Sequence, residues 1–356
     1  MNKYHNEFNE DCTSLSHSNG QSPTNIFNCD PFGLLYSIDH ATSKSKMLFS
    51  TSLLAAIDGS SSGSDSNAND NRVLILNGKK NSIICELNLS SAIIDFKINR
   101  KRLVVLLFDK ILIYDVSSIK LLFTIELSNS LNITPFDLSS TDNSILLFER
   151  GVGDLVVFDC IAFKEINHFE CHKAKLKCIK LSHDALQIAT CSTKGTIIRV
   201  FNVANGQLLD QFRRGSYKSD ICSLAFDKGK KILTCANMKG SIHLFKLSDD
   251  AYQKNITNTE MSILENNDII NTDLPILLKK SKREKELGKL HNVKKLLPER
   301  INSLLEPQRS FAQIKLEREG ECRVALVDNF IYVAQADYFY TYSNKYQLTR
   351  KASLTI

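Results

Sequence analysis

A four-residue strand ending, apolar-apolar-polar-apolar or close to it, returns along this chain at nearly constant spacing. It reads Ile113-Tyr114-Asp115-Val116, Val157-Phe158-Asp159-Cys160, Val200-Phe201-Asn202-Val203 and Leu244-Phe245-Lys246-Leu247, with starts 44, 43 and 44 residues apart. A period of roughly 40 to 45 residues is the spacing of propeller blades, in which each unit is one four-stranded sheet that buries its faces only against its neighbours. Weaker copies stand near Thr24 to Asn28, near Val73 to Asn77 and near Phe339 to Tyr342, which brings the count to seven. The expected fold is therefore all-β: a single seven-bladed β-propeller of WD-repeat type over residues 1–356, with a long insertion in blade six.

Within one period the text is that of short strands. Arg102 to Leu107, Lys110 to Tyr114 and Lys120 to Ile125 are apolar runs parted by Asp, Lys and Ser, as strands covered on both faces require. Two stretches break the rhythm. Residues 59–71 are Ser, Gly, Asn and Asp, the composition of a flexible surface loop. Residues 248–308 hold the apolar cluster Leu274-Pro275-Ile276-Leu277-Leu278, then the basic run Lys279-Lys280-Ser281-Lys282-Arg283. Downstream, Leu287, Leu290, Val293, Leu297, Ile301 and Leu304 recur every three or four residues, an amphipathic-helix pattern interrupted at Pro298.

Charge and cysteine usage narrow the function classes. A formal charge of +6 leaves room for an anionic partner without demanding one. Ten cysteines with no CxxC pair argue for reduced core thiols rather than a metal site, so no metal and no cofactor is expected. No signal-peptide pattern opens the chain, and no apolar run approaches the ~20 residues that span a bilayer, so a cytoplasmic protein with at most peripheral membrane contact is expected. Cys171-His172 and His183-Asp184 are sequence neighbours without a nucleophile arrangement, and an enzyme is not expected. Nucleic-acid binding has only the basic run in its favour, with no aromatic residues interleaved.

Phe212-Arg213-Arg214-Gly215 carries the chemistry. Neighbours in an extended strand point to opposite faces, so if this segment is extended the two guanidinium groups are expected to serve two different sites. Each presents a planar fork of donors that matches a phosphate bidentately. Gly215 is expected to let the backbone turn away and keep the approach open.

Several segments resemble the PROPPIN family of autophagy and endosomal propellers. They are Ile26 to Phe32, Met47 to Leu53, Ile83 to Leu87, Asn99 to Leu107, Lys194 to Phe201 and the Phe-Arg-Arg-Gly run in the fifth repeat. The resemblance implies a non-catalytic reader of phosphatidylinositol 3-phosphate and phosphatidylinositol 3,5-bisphosphate. It would be a monomer in solution, peripheral on endosomal, vacuolar or lysosomal, or pre-autophagosomal membranes, and would recruit autophagy effectors such as a lipid-transfer protein. Matching the family's pattern position by position gives a first pocket of Thr190, Ser192, Gly195, Thr196, Arg199 and Arg213. His183 stands near an additional polar position, with a plain turn residue beside Asp184 as the other reading.

The second pocket takes Arg214, Gly215, Asn237, Ser241 and His243. Asn237 stands where the family usually has Ser, and His243 should bind phosphate better when protonated, giving a mild acid preference. The insertion occupies the place of the family's membrane-inserting loop. Burying Leu274, Ile276, Leu277 and Leu278 in lipid could contribute about 1.5–3 kcal/mol each at the upper limit. The rival reading is a WD-repeat scaffold that binds proteins and leaves the arginine pair as plain surface.

Overall fold

A computed structural model describes residues 4–59, 71–127, 135–229, 231–248, 307–328 and 330–355. Blade one is β1 (His5–Phe8), β2 (Ser14–Ser18), β3 (Pro23–Cys29) and the first part of β4 (Phe32–Met47); blade two is the rest of β4 with β5 (Leu53–Asp58), β6 (Arg72–Asn77) and β7 (Ser82–Asn88). Blade three is β8 (Asp95–Ile98), β9 (Arg102–Leu106), β10 (Lys110–Asp115) and β11 (Leu121–Glu126). Blade four is β12 (Phe136–Leu138), β13 (Ile145–Gly151), β14 (Asp154–Asp159) and β15 (Lys164–Glu170). Blade five is β16 (Leu176–Leu181), β17 (Gln187–Ser192), β18 (Ile197–Asn202) and β19 (Leu208–Arg213), and the short β23 (Gln308–Arg309) joins its outer edge. Blade six is β20 (Ile221–Phe226), β21 (Ile232–Asn237), β22 (Ser241–Lys246) and β24 (Ala312–Lys315). Blade seven is β25 (Cys322–Val327), β26 (Phe330–Gln335), β27 (Tyr338–Ser343) and β28 (Leu348–Ser353).

The hydrogen-bonded sheets number six because β4 belongs to two blades. Residues from Phe32 to Ala41 pair with β3 as the outer strand of blade one, and Thr42 to Met47 pair with β5 as the inner strand of blade two. Counting that sheet as two blades gives seven.

The strand endings that carry the sequence period are the third strands of the blades. β10 and β14 bury all four central residues, because a strand inside a blade is covered by the blade before it and the blade after it. Valine, isoleucine, leucine and phenylalanine meet that requirement on both faces, and the turn residues after each strand set the repeat length.

The innermost strands obey a different rule. In β8 Phe96 and Ile98 turn into the blade core while Asp95 and Lys97 line the central channel. The channel holds a cavity of about 640 Å³ crossed by ion pairs between blades. Glu7 of blade one meets Lys97 of blade three at 3.3 Å, Lys46 of blade two at 3.5 Å and Arg323 of blade seven at 3.5 Å. Lys46 also meets Glu10 at 3.1 Å. Burial pushes the Glu7 carboxyl up, but Lys97, Lys46 and Arg323 outweigh it and hold the group well below the ordinary carboxylate range.

Blade one and blade seven close the ring through side chains. Phe8, Leu15 and Phe27 pack with Ala325, Tyr332 and Phe339 in one buried cluster, and Asn6 Nδ2 donates to the Ala336 carbonyl at 2.8 Å.

The insertion leaves and returns beside a single strand. Ser248 donates its backbone N–H to Asp210 of β19 at 3.2 Å, and β23 pairs with Phe212 and Arg213 of the same strand. The apolar positions expected to enter lipid, Leu274, Ile276, Leu277 and Leu278, lie outside the described residues, as do the helical pattern from Leu287 to Leu304 and residues 60–70 of the polar loop.

Candidate anion-binding site

The arginine pair stands at the end of the outer strand of blade five. Phe212 stacks on Phe245 of blade six, ring centroids 4.9 Å apart, so the Phe212 face of β19 looks at blade six and the face bearing Gln211 and Arg213 looks at blade four. The first residue past the strand, Arg214, keeps to the blade-six side. Its cation helps to lower the pKa of His243 there.

On the blade-four side, register assembles two rows. The deeper one runs Thr190, Arg199, Gln211 across β17, β18 and β19. Its polar groups are joined to one another and to the segment that follows β15. Arg199 donates from Nε to Gln211 Oε1 at 2.8 Å, from Nη1 to the Cys171 carbonyl at 2.8 Å and to His172 Nδ1 at 3.3 Å. His172 Nε2 meets the Thr190 hydroxyl at 3.0 Å, and that hydroxyl donates to the Arg199 carbonyl at 3.4 Å. With Nδ1 accepting from a guanidinium, His172 must carry its proton on Nε2. Burial, then the Arg199 charge, push its pKa down to about 4. Thr190 is fully buried and is a brace of this network. Arg199 is half brace, half candidate ligand, since among the described residues its Nη2 has no partner.

The rim row begins at the buried Ser192 and is open at its Arg213 end. Ile197 pairs with Arg213, and the same register carried one step brings Ser192 beside Ile197. Arg213 is exposed, and among the described residues it has no side-chain hydrogen bond or ion pair. Thr196 sits at the corner, its carbonyl accepting the Arg214 N–H at 2.9 Å. Gly195 next to it has φ +62°, and a Cβ there would fall 1.9 Å from the Ser219 carbonyl oxygen, so only glycine lets this turn press against the chain leading into blade six. Gly215 is different. Its φ lies outside the left-handed region and a Cβ there would meet open space, so the backbone does not require glycine at this position, contrary to the expectation for it, and the space beside it is free for an incoming group.

On the blade-six side, Arg214 donates from Nε to the Gly195 carbonyl at 2.8 Å and from Nη2 to the Tyr217 carbonyl at 2.5 Å. These two bonds aim the guanidinium without neutralising it. His243 lies across the groove with Ser241 Oγ 3.4 Å from Nε2 and Ser310 Oγ 3.3 Å from Nδ1. Asn237 is almost fully buried, and its side-chain oxygen accepts the Lys239 and Ser241 N–H groups at 3.1 Å each. The longer side chain thus shapes the turn before Ser241 and has only its NH₂ left for a ligand.

Of the residues expected at the two pockets, the structure brings together all but one. His183 occupies the turn between β16 and β17, whereas Ser192 ends β17 at the opposite tip. The six-residue strand β17 separates the turn holding His183 from that tip, about 15 Å, so His183 is a turn residue and not a neighbour of Arg213. The histidine that does stand there is His172. It lies on the connection out of blade four, just past β15, and no motif within the fifth repeat points to it.

The acid preference expected of His243 is also revised. Burial, reinforced by Arg214, pushes its pKa down to about 4, so it is neutral at cellular pH and has one N–H to donate. Burial likewise pushes His17 down to about 4. Because His17, His172 and His243 titrate near 6.5 in the unfolded chain, their contribution to stability is complete above pH 6.5 and is lost as pH falls towards 4. Lowering pH from 7.5 to 5 should therefore reduce the melting temperature, at a cost on the order of 1–2 kcal/mol per histidine. Replacing the three with glutamine should make the profile shallower, with the remainder due to His5, which burial pushes down to about 3, and an unchanged slope would remove the three as a cause.

Comparison with known proteins gives a consistent answer. A model of the PROPPIN family matches residues 4–265. Autophagy-related protein 21 of Pichia angusta is 38% identical over 371 residues, 94% of each chain. Autophagy-related protein 18 of Yarrowia lipolytica is 34% identical over 340 residues, 86% of this chain and 82% of its own. Among solved structures, KlAtg21 in complex with the coiled coil of AgAtg16 superimposes with a TM-score of 0.74 at 26% identity over 99% of both chains. Hsv2 of Kluyvelomyces marxianus superimposes with a TM-score of 0.72 at 18% identity over the whole of both.

Proposed function

The chain belongs to the PROPPIN family of non-catalytic, phosphoinositide-binding propellers that act in autophagy, and from that membership we propose that it docks on membranes by holding one inositol phosphomonoester in each of the two grooves flanking β19. The observation that carries this is the divergence of the arginine pair. Arg213 is exposed on the blade-four side with Ser192, Thr196 and one free arm of Arg199 around it. Arg214 is aimed on the blade-six side by two carbonyls, opposite Ser241 and His243. Neither guanidinium has a carboxylate partner among the described residues, and guanidinium plus hydroxyl donors are what a dianionic monoester needs.

Phosphatidylinositol 3-phosphate and phosphatidylinositol 3,5-bisphosphate are the lipids this assignment gives. Two weak contacts on one rim act as a bivalent grip on a surface rich in them. The membranes are those of autophagy, with endosomal and vacuolar or lysosomal membranes carrying the same lipids. The KlAtg21 complex makes a coiled coil the class of protein partner to look for; an autophagy lipid-transfer protein is a further candidate.

Vesicle flotation over a panel of phosphoinositides tests the reading. Retention should be confined to the 3-phosphorylated lipids, and equal retention on phosphatidylinositol 4-phosphate would overturn it. In the same assay Leu277→Asp with Leu278→Asp should weaken vesicle binding and spare binding of a soluble headgroup. Equal loss in both assays would make that part of the insertion structural instead.

A further inference from the structure

The segment that returns from the insertion borders both grooves. β23 runs parallel to β19 with Arg309 registered beside Arg213. Registered residues on adjacent strands project from the same face, with their backbones about 5 Å apart, so Arg309 joins the rim row on the blade-four side. Both arginines are exposed, and among the described residues neither side chain has a hydrogen bond or an ion pair. Like charges side by side on a ladder repel, and a shared anion would convert that repulsion into attraction.

The chain then crosses to blade six. Ser310 reaches His243, and β24 pairs with β22 so that Gln313 stands opposite His243 and Lys315 opposite Ser241. Ile314 and Leu316 turn into the core shared with blade seven. The alternate positions Gln313 and Lys315 therefore look towards blade five, where Arg214 lies. Lys315 is exposed and, among the described residues, without an ion pair.

We propose that Arg309 and Lys315 are phosphate ligands, Arg309 beside Arg213 in the first groove and Lys315 facing Arg214 in the second. The segment 308–315 is then a wall common to both sites, and each monoester is held between a cation of the β19 end and a cation of the return segment. This rests on the two-groove reading above. A phosphomonoester carries a charge near −2 at neutral pH, and two cations from opposite walls match it where one would leave it half neutralised.

Calorimetric titration of the full-length chain with inositol 1,3-bisphosphate separates the possibilities. In an Arg214→Thr background, which leaves the first groove, Arg309→Gln should weaken binding about tenfold and Lys315→Gln should not change it. In an Arg213→Thr background the pattern should reverse. Arg309→Lys, which keeps the charge without the fork and preserves β23 should Arg309→Gln disturb it, should lose about threefold. Unchanged affinity in the matching background, or equal loss in both backgrounds, would overturn the proposal and reduce the two residues to general surface charge. If Arg213→Thr and Arg214→Thr themselves leave the titration as in wild type, the two-groove reading falls instead.

Discussion

Vesicles containing phosphatidylinositol 3-phosphate should float free of the protein once Arg213→Thr and Arg214→Thr are combined, while far-ultraviolet circular dichroism and the melting temperature stay close to wild type. Each arginine lost removes charge-assisted hydrogen bonds worth about 1.5–3 kcal/mol per contact. Because the two grooves lie on one rim, losing both also removes the gain from bivalency, and the apparent affinity should fall by more than about a hundredfold. The fold has little reason to suffer. Arg213 is exposed and unpartnered among the described residues, and Arg214 gives up two bonds to backbone carbonyls at the surface. Each single variant should fall between wild type and the double. Wild-type-like recovery of the double variant on floating vesicles would leave the grooves without a function.

The largest effect on stability should come from the channel. Glu7→Ala removes the one carboxylate within 3.5 Å of Lys97, Lys46 and Arg323 together and leaves three cations from three blades facing one another. Breaking a buried pair by deleting one partner costs roughly 3–5 kcal/mol, and water in the channel places the expected loss near the lower end. Lys46 keeps Glu10 and Arg323 keeps Glu321 at 2.9 Å, which limits the loss further. A midpoint shift in urea unfolding at unchanged slope reads it directly. A loss under about 1 kcal/mol would mean that the channel screens these charges as solvent does.

Both features were unequally visible in the amino-acid order. The third strands could be read because burial on two faces demands an unbroken apolar run, as in Ile111 to Tyr114. The inner strands could not. β8 is four residues long and alternates Asp95 and Lys97 with Phe96 and Ile98, and its charges make sense only once Glu7 and Lys44 arrive from other blades. The closure between Phe8 and Phe339 is a contact across almost the whole chain, and nothing local encodes it.

Among the site residues, the opposite facing of Arg213 and Arg214 can be read from strand alternation, which acts over a few residues, whereas Ser192 and Thr196 are reached only through the family's pattern. His172 was not legible, because its role is set by the neighbouring blade. His183 was misplaced for the converse reason: a position near the right residues in sequence lay at the wrong tip of a hairpin. The steric demand for glycine at 195, set by the Ser219 carbonyl, comes from the connection into the next blade and has no local signal.

The strand β4 has a consequence for how the ring can deform. Passing without a turn from the rim of blade one to the axis of blade two, it makes those two blades a single mechanical piece, unable to splay apart without tearing a continuous ladder. Blade five stands nearly diametrically across from that stiffened arc, and there the segment carrying β23 and β24 pairs with β19 of one blade and then with β22 of the next. The ring is thus tied blade to blade at two opposite places, once by a strand shared between two blades and once by a returning segment that clasps two of them, and parting blades five and six must pull one of its short ladders open.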